Sequence, residues 1–389
     1  MKILYHHRTR ASGADGNHIR QMIKALKRHG HEVDVISPPG VDIWNPPAFA
    51  GGKRSGRRSA GAARELVEFL YTFYSWARMG AALARRPGYS FIYERYAIFS
   101  WPGAFWARKR RIPLILEVNF TSRTPSNVYP ARSGFFKRLE DAIDRWVFNR
   151  ADAIVVVTQV LKEHLVESFK LTPEKIRVVA NAVDPDEFHP GVSVDGLRER
   201  LVVNGSRIVG FVGGFYPWHG VDLLIKAAQE ILALRSDVVF VLVGEGHLKG
   251  HFEGLVQSQG LGPAFRFTGF VPHAALPQYV ALFDVGVLPH TNTFGCPMKV
   301  LEYMGMAKPV VAPRVPTLEE IMTDGKEGIL FESGSSAALA QAIVRILSDR
   351  EGASRLGEAG RARVERLHTW TRNGREVLAL YDWVMWNKR

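Results

Sequence analysis

Short runs of consecutive apolar residues alternate along this chain with stretches whose apolar positions recur every three or four residues. Uninterrupted apolar runs fit strands covered on both faces, and the 3.6-residue spacing fits amphipathic helices. In the first half the pattern predicts strands at Lys2–His6, Glu32–Ser37, Phe91–Tyr93, Pro113–Asn119, Ala153–Thr158 and Lys175–Ala180. It predicts helices where Ile19, Met22, Ile23 and Leu26 share a face, and over Ala62–Arg85, Trp101–Arg111 and Phe135–Asn149. Gly30 ends the first helix, and Val41–Gly61, rich in Pro, Gly, Ser, Arg and Lys, reads as a loop. A second series starts at Arg207. Its strands are Ile208–Gly213, Val238–Gly244, Phe265–Gly269, Val285–Pro289 and Pro309–Ala312, with Val221–Arg235 the clearest helix.

Repeated strand–helix alternation argues for parallel sheets with helices on both faces. Two such series in 389 residues give two domains. We expect an N-terminal domain over 1–190, a linker in the Pro- and Gly-bearing stretch Asp184–Ser206, and a C-terminal domain over 191–373. The helix 374–389 carries Val377, Leu378, Tyr381 and Met385 on one side, and is expected to cross back to the first domain. Two doubly wound domains facing each other would bring two sets of strand C-termini to one cleft, where ligands of open α/β sheets bind.

Composition narrows the setting. No apolar run is long enough to span a bilayer, and MKILYHHRTR turns charged too early for a signal peptide. With the single cysteine Cys296, this fits a reducing cytoplasm. The net charge of +13 is lopsided. Residues 1–190 hold 30 Lys+Arg against 18 Asp+Glu, and the remainder holds 21 against 20. Such a basic half suits an anionic partner: nucleic acid, a membrane surface or a phosphate-bearing lipid. No RNA- or DNA-binding motif is present. Lys53, Arg54, Arg57, Arg58 and Arg64 lead into Leu66, Val67, Phe69, Leu70, Tyr71, Phe73, Tyr74 and Trp76. Two readings stand for that segment: an interfacial helix on the inner face of a membrane, or a core helix beside a solvated loop.

The candidate chemistry sits at strand ends. Gly295-Cys296-Pro297-Met298-Lys299-Val300-Leu301-Glu302-Tyr303-Met304 reads as a loop and then a helix opened by Pro297, before the strand at Pro309. Glu302 shares a helix face with Met298, and Lys299 lies one turn before it. Gly213-Gly214-Phe215-Tyr216-Pro217-Trp218-His219 joins a strand to a helix whose N-terminus suits phosphate. Val243-Gly244-Glu245-Gly246 and Thr268-Gly269-Phe270-Val271-Pro272 end the next two strands. In the first half, Gly13, Gly16, Asn17 and His18 follow the first strand, and Asn119 ends the fourth.

In this order the motifs resemble the retaining glycosyltransferases of family 4, which have the GT-B fold: two Rossmann-like α/β domains facing each other across a cleft. The resemblance runs from the first loop to about Val311. It implies transfer of a sugar from a nucleotide-diphosphate donor to an acceptor hydroxyl with retention of configuration, in glycan, cell-envelope polysaccharide or glycolipid synthesis. Glu302 would hold the donor ribose. Gly13, Gly16, Gly213, Gly214, Glu245, Phe270, Val271, Met298, Lys299 and Val300 would line the donor, and Asn17 and His18 would face the saccharide or lipid-linked acceptor. The resemblance implies no metal and no cofactor beyond the donor itself.

Three positions depart from the family pattern. Gly214 stands where a diphosphate-gripping arginine is usual, His219 where a lysine is usual, and Phe294 where a first glutamate is usual. The Pro-x-Lys-x-x-Glu-Tyr-Met form marks a variant branch. His219 and Lys299, with Asn119 where relatives often carry histidine, are then the catalytic candidates, and Arg8 or Arg10 are reserve cations. Each has a plainer reading: His219 as packing, Lys299 as a salt bridge to Glu302, Glu245 as a turn residue. The rival functions are an epimerase or hydrolase of the same fold, and a basic nucleic-acid-binding protein.

Overall fold

The computed structural model describes residues 1–45, 61–124, 132, 134–194, 196–203 and 205–388. The described residues form two compact units, the first from those of 1–45, 61–180 and 370–388, the second from those of 181–369. Of the loop at 41–61, residues 46–60 lie outside the described residues, as do Lys53, Arg54, Arg57 and Arg58.

In the first unit the elements run β1 (Lys2–His6), α1 (Ala14–Arg28), β2 (Glu32–Ile36), α2 (Gly61–Arg85), β3 (Phe91–Arg95), α3 (Pro102–Arg110), β4 (Leu114–Val118), α4 (Lys137–Arg150), β5 (Ala153–Val156), α5 (Gln159–Phe169) and β6 (Ile176–Val178). The strands form one parallel sheet, ordered β2-β1-β3-β4-β5-β6. Every residue of β4 and β5 is buried, as continuous apolar runs require of central parallel strands.

The second unit runs α6 (Leu197–Leu201), β7 (Arg207–Val212), α7 (Val221–Leu234), β8 (Val238–Val243), α8 (Lys249–Ser258), β9 (Phe265–Gly269), α9 (Leu276–Ala281), β10 (Val285–Val287), α10 (Met298–Gly305), β11 (Val310–Pro313), α11 (Pro316–Glu319), β12 (Ile329–Phe331), α12 (Ser336–Ser348) and α13 (Arg350–Leu367). Its parallel sheet is ordered β12-β11-β10-β7-β8-β9. β12 has no counterpart in the apolar pattern, because three residues between polar neighbours leave no period to read. The stretch 184–206 lies inside this unit, and the chain changes units at 180/181 and again at 369/370.

The last helix, α14 (Trp370–Asn387), packs in the first unit beside α1. Gly374 allows this approach: a Cβ there would lie 3.1 Å from the Cβ of Ala25. His29 Nε2 donates to Thr371 O, and Asn373 Nδ2 donates to Ala180 O at 2.8 Å. The buried face is Val377, Leu380 and Val384, with Tyr381 stacked on Phe91. Met385, expected on that face, is exposed, because the 377–380–384 spacing turns it away from α1.

Candidate functional site

In each sheet the strand order reverses beside the first strand of its series, between β1 and β3 and between β7 and β10. The crevice outside the carboxyl ends of such strands is where open α/β sheets take ligands. In the second unit the loops after β7 and β10 meet there, and both carry sequence candidates.

Three glycines let the backbones converge. Gly213 and Gly244 have φ of 153° and 149°. A Cβ on Gly244 would lie 1.9 Å from Gly213 O, and one on Gly246 would lie 2.6 Å from Phe215 backbone atoms. A Cβ on Gly213 would lie 2.5 Å from Lys299 Nζ, so Lys299 reaches across from α10 to the β7 loop. At Gly214 a Cβ would lie 2.3 Å from the Tyr216 ring, which itself stacks on Trp218. Tyr216 thus fills the space that an arginine at this position would need.

α10 is fastened to the sheet by Tyr303. Its ring passes over Gly286 of β10, where a Cβ would lie 2.5 Å away, and its Oη accepts the N–H of Val212 at 2.8 Å. This fixes the helix start beside the glycine loop, and no side chain caps that start. Its first N–H groups and the positive end of its dipole are thereby presented to an anion. Met298 and the Lys299 stem are half-buried, Val300 is buried, and Nζ itself is out of contact with solvent. Nζ has no hydrogen-bond partner among the described residues and sits 4.7 Å above the Phe211 ring. Burial lowers the amine's pKa from 10.5 to about 7, against a small opposing pull from Glu302.

The salt bridge from Lys299 to Glu302 is absent. Glu302 is buried, and its Oε1 instead accepts from His273 Nε2 at 3.0 Å. His273 follows the Phe270-Val271-Pro272 turn after β9, where Phe270 is exposed and Val271 half-buried. Sequence reasoning missed it; its place three residues past a singled-out phenylalanine was the available signal. In the unliganded site His219 does not carry the charge expected of it. Burial and the neighbouring Lys299 lower its pKa to about 3, so it is neutral at physiological pH. Its Nδ1–H donates to Gly214 O and braces the loop. Glu245 forms a loose ion pair with Lys249 at 3.5 Å in the turn after β8.

The first unit holds a second constellation around Glu117, which the sequence reading did not single out. Oε2 accepts from His18 Nε2 at 3.0 Å and from Tyr93 Oη at 2.9 Å. Oε1 accepts from Asn119 Nδ2 at 2.8 Å and from Arg95. Although burial opposes it, His18 and Arg95 hold this carboxyl far below the usual range. His18 is therefore an internal partner of Glu117, packed edge-on against Trp370, and Asn119 is oriented by the same carboxylate. Asn17 is buried on α1. Gly13 precedes α1, and Gly16 admits the carbonyl of Ala11, 2.0 Å from where a Cβ would be. Arg8, a reserve cation in the sequence reading, donates to Thr72 Oγ1 and to the carbonyls of Glu68 and Ile98 within the first unit. The sequence Asp184-Pro185-Asp186 spends Asp184 Oδ1 on the N–H of Asp186. Among the described residues no group of three His, Cys, Asp or Glu is placed to hold a metal.

Comparison with known proteins accounts for this layout. A family model described as Glycosyltransferase Family 4 matches residues 16–187, and one described as Glycosyl transferases group 1 matches residues 206–349. The D-inositol 3-phosphate glycosyltransferase of Segniliparus rotundus is 30% identical over 391 residues, covering 95% of this chain and 84% of the relative. The alpha-D-kanosaminyltransferase of Streptomyces kanamyceticus is 27% identical over 258 residues, and that match spans only 64% of each chain. Among solved structures, Anabaena Alr3699/HepE in complex with UDP and glucose superposes with a TM-score of 0.72 at 18% identity, covering 97% of this chain and 98% of that one. With two parallel six-stranded sheets and a near-full-length relative at this identity, the chain belongs to the GT-B glycosyltransferases.

Proposed function

We propose that the chain transfers a sugar from a nucleoside-diphosphate donor, held in the second unit, to an acceptor hydroxyl with retention of anomeric configuration and without a metal ion. The observation that carries this reading is Lys299: a desolvated amine with no hydrogen-bond partner among the described residues, aimed at a glycine loop and a helix start without a side-chain cap. A departing diphosphate supplies the negative charge that such an amine lacks. Glu302, oriented by His273, receives the ribose hydroxyls. Phe270 and Val271 flank the base. Gly213, Gly214 and the N–H groups of Met298 and Lys299 take the phosphates. Asn119, held by Glu117, and Asn17 serve a saccharide or lipid-linked acceptor. The bond from the sugar C1 to the diphosphate oxygen breaks, the acceptor oxygen bonds C1 on the same face, and its proton passes to the leaving diphosphate. No protein carboxylate is needed as nucleophile. The UDP and glucose in the Alr3699/HepE complex support a nucleotide-sugar donor here.

The test is incubation with UDP-, GDP-, ADP- and dTDP-sugars and a panel of saccharide acceptors, with and without EDTA, with the anomer of the product read by NMR. A retained anomer formed at an unchanged rate in EDTA is expected. Donor isomerised or hydrolysed at the same rate with and without acceptor would mark an epimerase or hydrolase instead, and an inverted product would refute retention.

A further inference from the structure

The helix α2 is built inside-out over its first four turns. It buries Glu65, Thr72 and Ser75, and exposes Leu66, Val67, Leu70, Phe73 and Tyr74. Those five positions follow helical spacing, so they form one stripe, with Val67 at 64% and Leu70 at 55% exposure. Two of the inward polar groups are engaged: Arg132 reaches Glu65, and Thr72 Oγ1 donates to Phe99 O and accepts from Arg8. A helix held by its polar side leaves its apolar side for another medium. An exposed apolar patch is the informative departure from ordinary burial.

The stripe does not end at α2. Phe73 meets Trp101 edge-on at 5.8 Å, and Trp101 opens a groove between α3 and α4. The groove has a volume of about 340 Å³ and is lined by Trp101, Phe105, Ala142, Ile143 and Trp146. Cations stand over its neighbouring rings: Arg150 lies 4.2 Å from the Trp146 ring and Lys109 5.2 Å from that of Trp106. Arg108, Lys109, Arg110 and Arg111, all exposed, close the C-terminal end of α3.

Charge identifies the occupant. Residues 61–150 hold 15 Lys+Arg and 7 Asp+Glu. Five of those acids, Glu65, Glu94, Glu117, Glu140 and Asp144, are buried in internal contacts, and Arg95 and Arg132 turn inward onto three of them, so Glu68 and Asp141 are left against 13 cations around the apolar and aromatic side chains. This combination complements an anionic lipid surface, with ammonium and guanidinium groups at phosphates and rings at the interface.

We propose that this face of the first unit docks on an anionic phospholipid bilayer, with the α2 stripe at the headgroup boundary and the α3–α4 groove receiving an acyl chain. Among the described residues no helix is long and apolar enough to cross a membrane, so the attachment is from one side. It does not rest on the donor assignment, because nucleotide binding is measured separately in lipid-free solution.

The experiment is co-sedimentation of the full chain with phosphatidylglycerol-containing vesicles and with pure phosphatidylcholine vesicles, at low and high salt. Tryptophan quenching by acyl-brominated phosphatidylglycerol is read alongside. Binding is expected to need the anionic lipid and to fall, without vanishing, as salt screens the cations. The double variant Leu70→Gln/Phe73→Ser should lower the partition coefficient about tenfold, with melting temperature unchanged. Trp146→Phe should keep binding and lose part of the quenching. No sedimentation with anionic vesicles at low salt would overturn the proposal. So would binding that salt abolishes, that the double variant leaves intact and that produces no quenching, since that describes a basic surface alone. A lipid-free dimer dissolved by the double variant would assign the face to a second copy and overturn it equally.

Discussion

Replacing Lys299 with methionine removes the ammonium and keeps an unbranched apolar stem. In the free protein the buried amine titrates near pH 7, so its charge fades as pH rises above that value. A bound diphosphate favours the charged form and raises the pKa in the complex. The complex then holds a proton that the free protein has lost, and affinity falls as pH rises, by about tenfold per unit above pH ~7 until the complex itself titrates. Loss of one charge-assisted contact costs ~1.5–3 kcal/mol, or roughly ten- to 150-fold in affinity. The two effects are of similar size two units above the amine's pKa. The native and Lys299→Met curves should therefore lie farthest apart near pH ~6.5 and converge by about pH 9. Calorimetric titration of the preferred nucleoside diphosphate across this range, at fixed ionic strength, reads both curves. The same linkage reaches stability. The folded pKa lies below the unfolded one, so the unfolded chain binds more protons between pH ~7 and ~10.4 and the native fold gains stability as pH rises. Lys299→Met should remove that slope and stabilise the unliganded protein at neutral pH by up to about 4 kcal/mol. A native affinity that is flat with pH, or a Lys299→Met variant that keeps the native slope, would refute the role given to this amine.

Glu302→Gln should weaken nucleoside diphosphate and phosphate-free nucleoside binding alike, by ~1.5–3 kcal/mol; loss confined to the diphosphate would place the carboxylate elsewhere. His219→Ala should lower turnover by loosening Gly214 while leaving the pH–rate profile in place, because the ring titrates only near pH 3; a displaced alkaline or acidic limb would show that the imidazole takes part. Gly244→Ala puts a Cβ at φ 149° and 1.9 Å from Gly213 O, so nucleotide binding should be lost together with a fall in melting temperature. Glu117→Gln leaves Arg95 and His18 facing a neutral group and should cost ~3–5 kcal/mol in denaturant unfolding. Because the Glu117 pKa is depressed in the fold, its contribution is complete above the unfolded carboxyl value near 4.5 and is lost as pH falls below it; unchanged acid stability in the variant would count against that network.

The sequence determined what short-range patterns can determine. Apolar runs and helical spacing fixed the strand–helix alternation and the two series. Glycine and proline punctuation placed the loops at strand ends where Gly213, Gly244 and Lys299 stand. Those signals are local, so they survive without knowledge of distant partners. Tertiary structure decided what depends on residues far apart in the chain. The order in which strands join set which loops meet at the β7–β10 reversal. Glu302 turned from Lys299, three positions away, to His273, 29 positions away, and that choice left the Lys299 amine desolvated and without a hydrogen-bond partner among the described residues. Glu117 became a centre only because His18, 99 positions off, and Arg95 fold onto it. The period of α2 was legible, but a period does not say which side faces inward. Arg8 and Arg132, coming from elsewhere in the first unit, took its polar side and left the apolar side exposed.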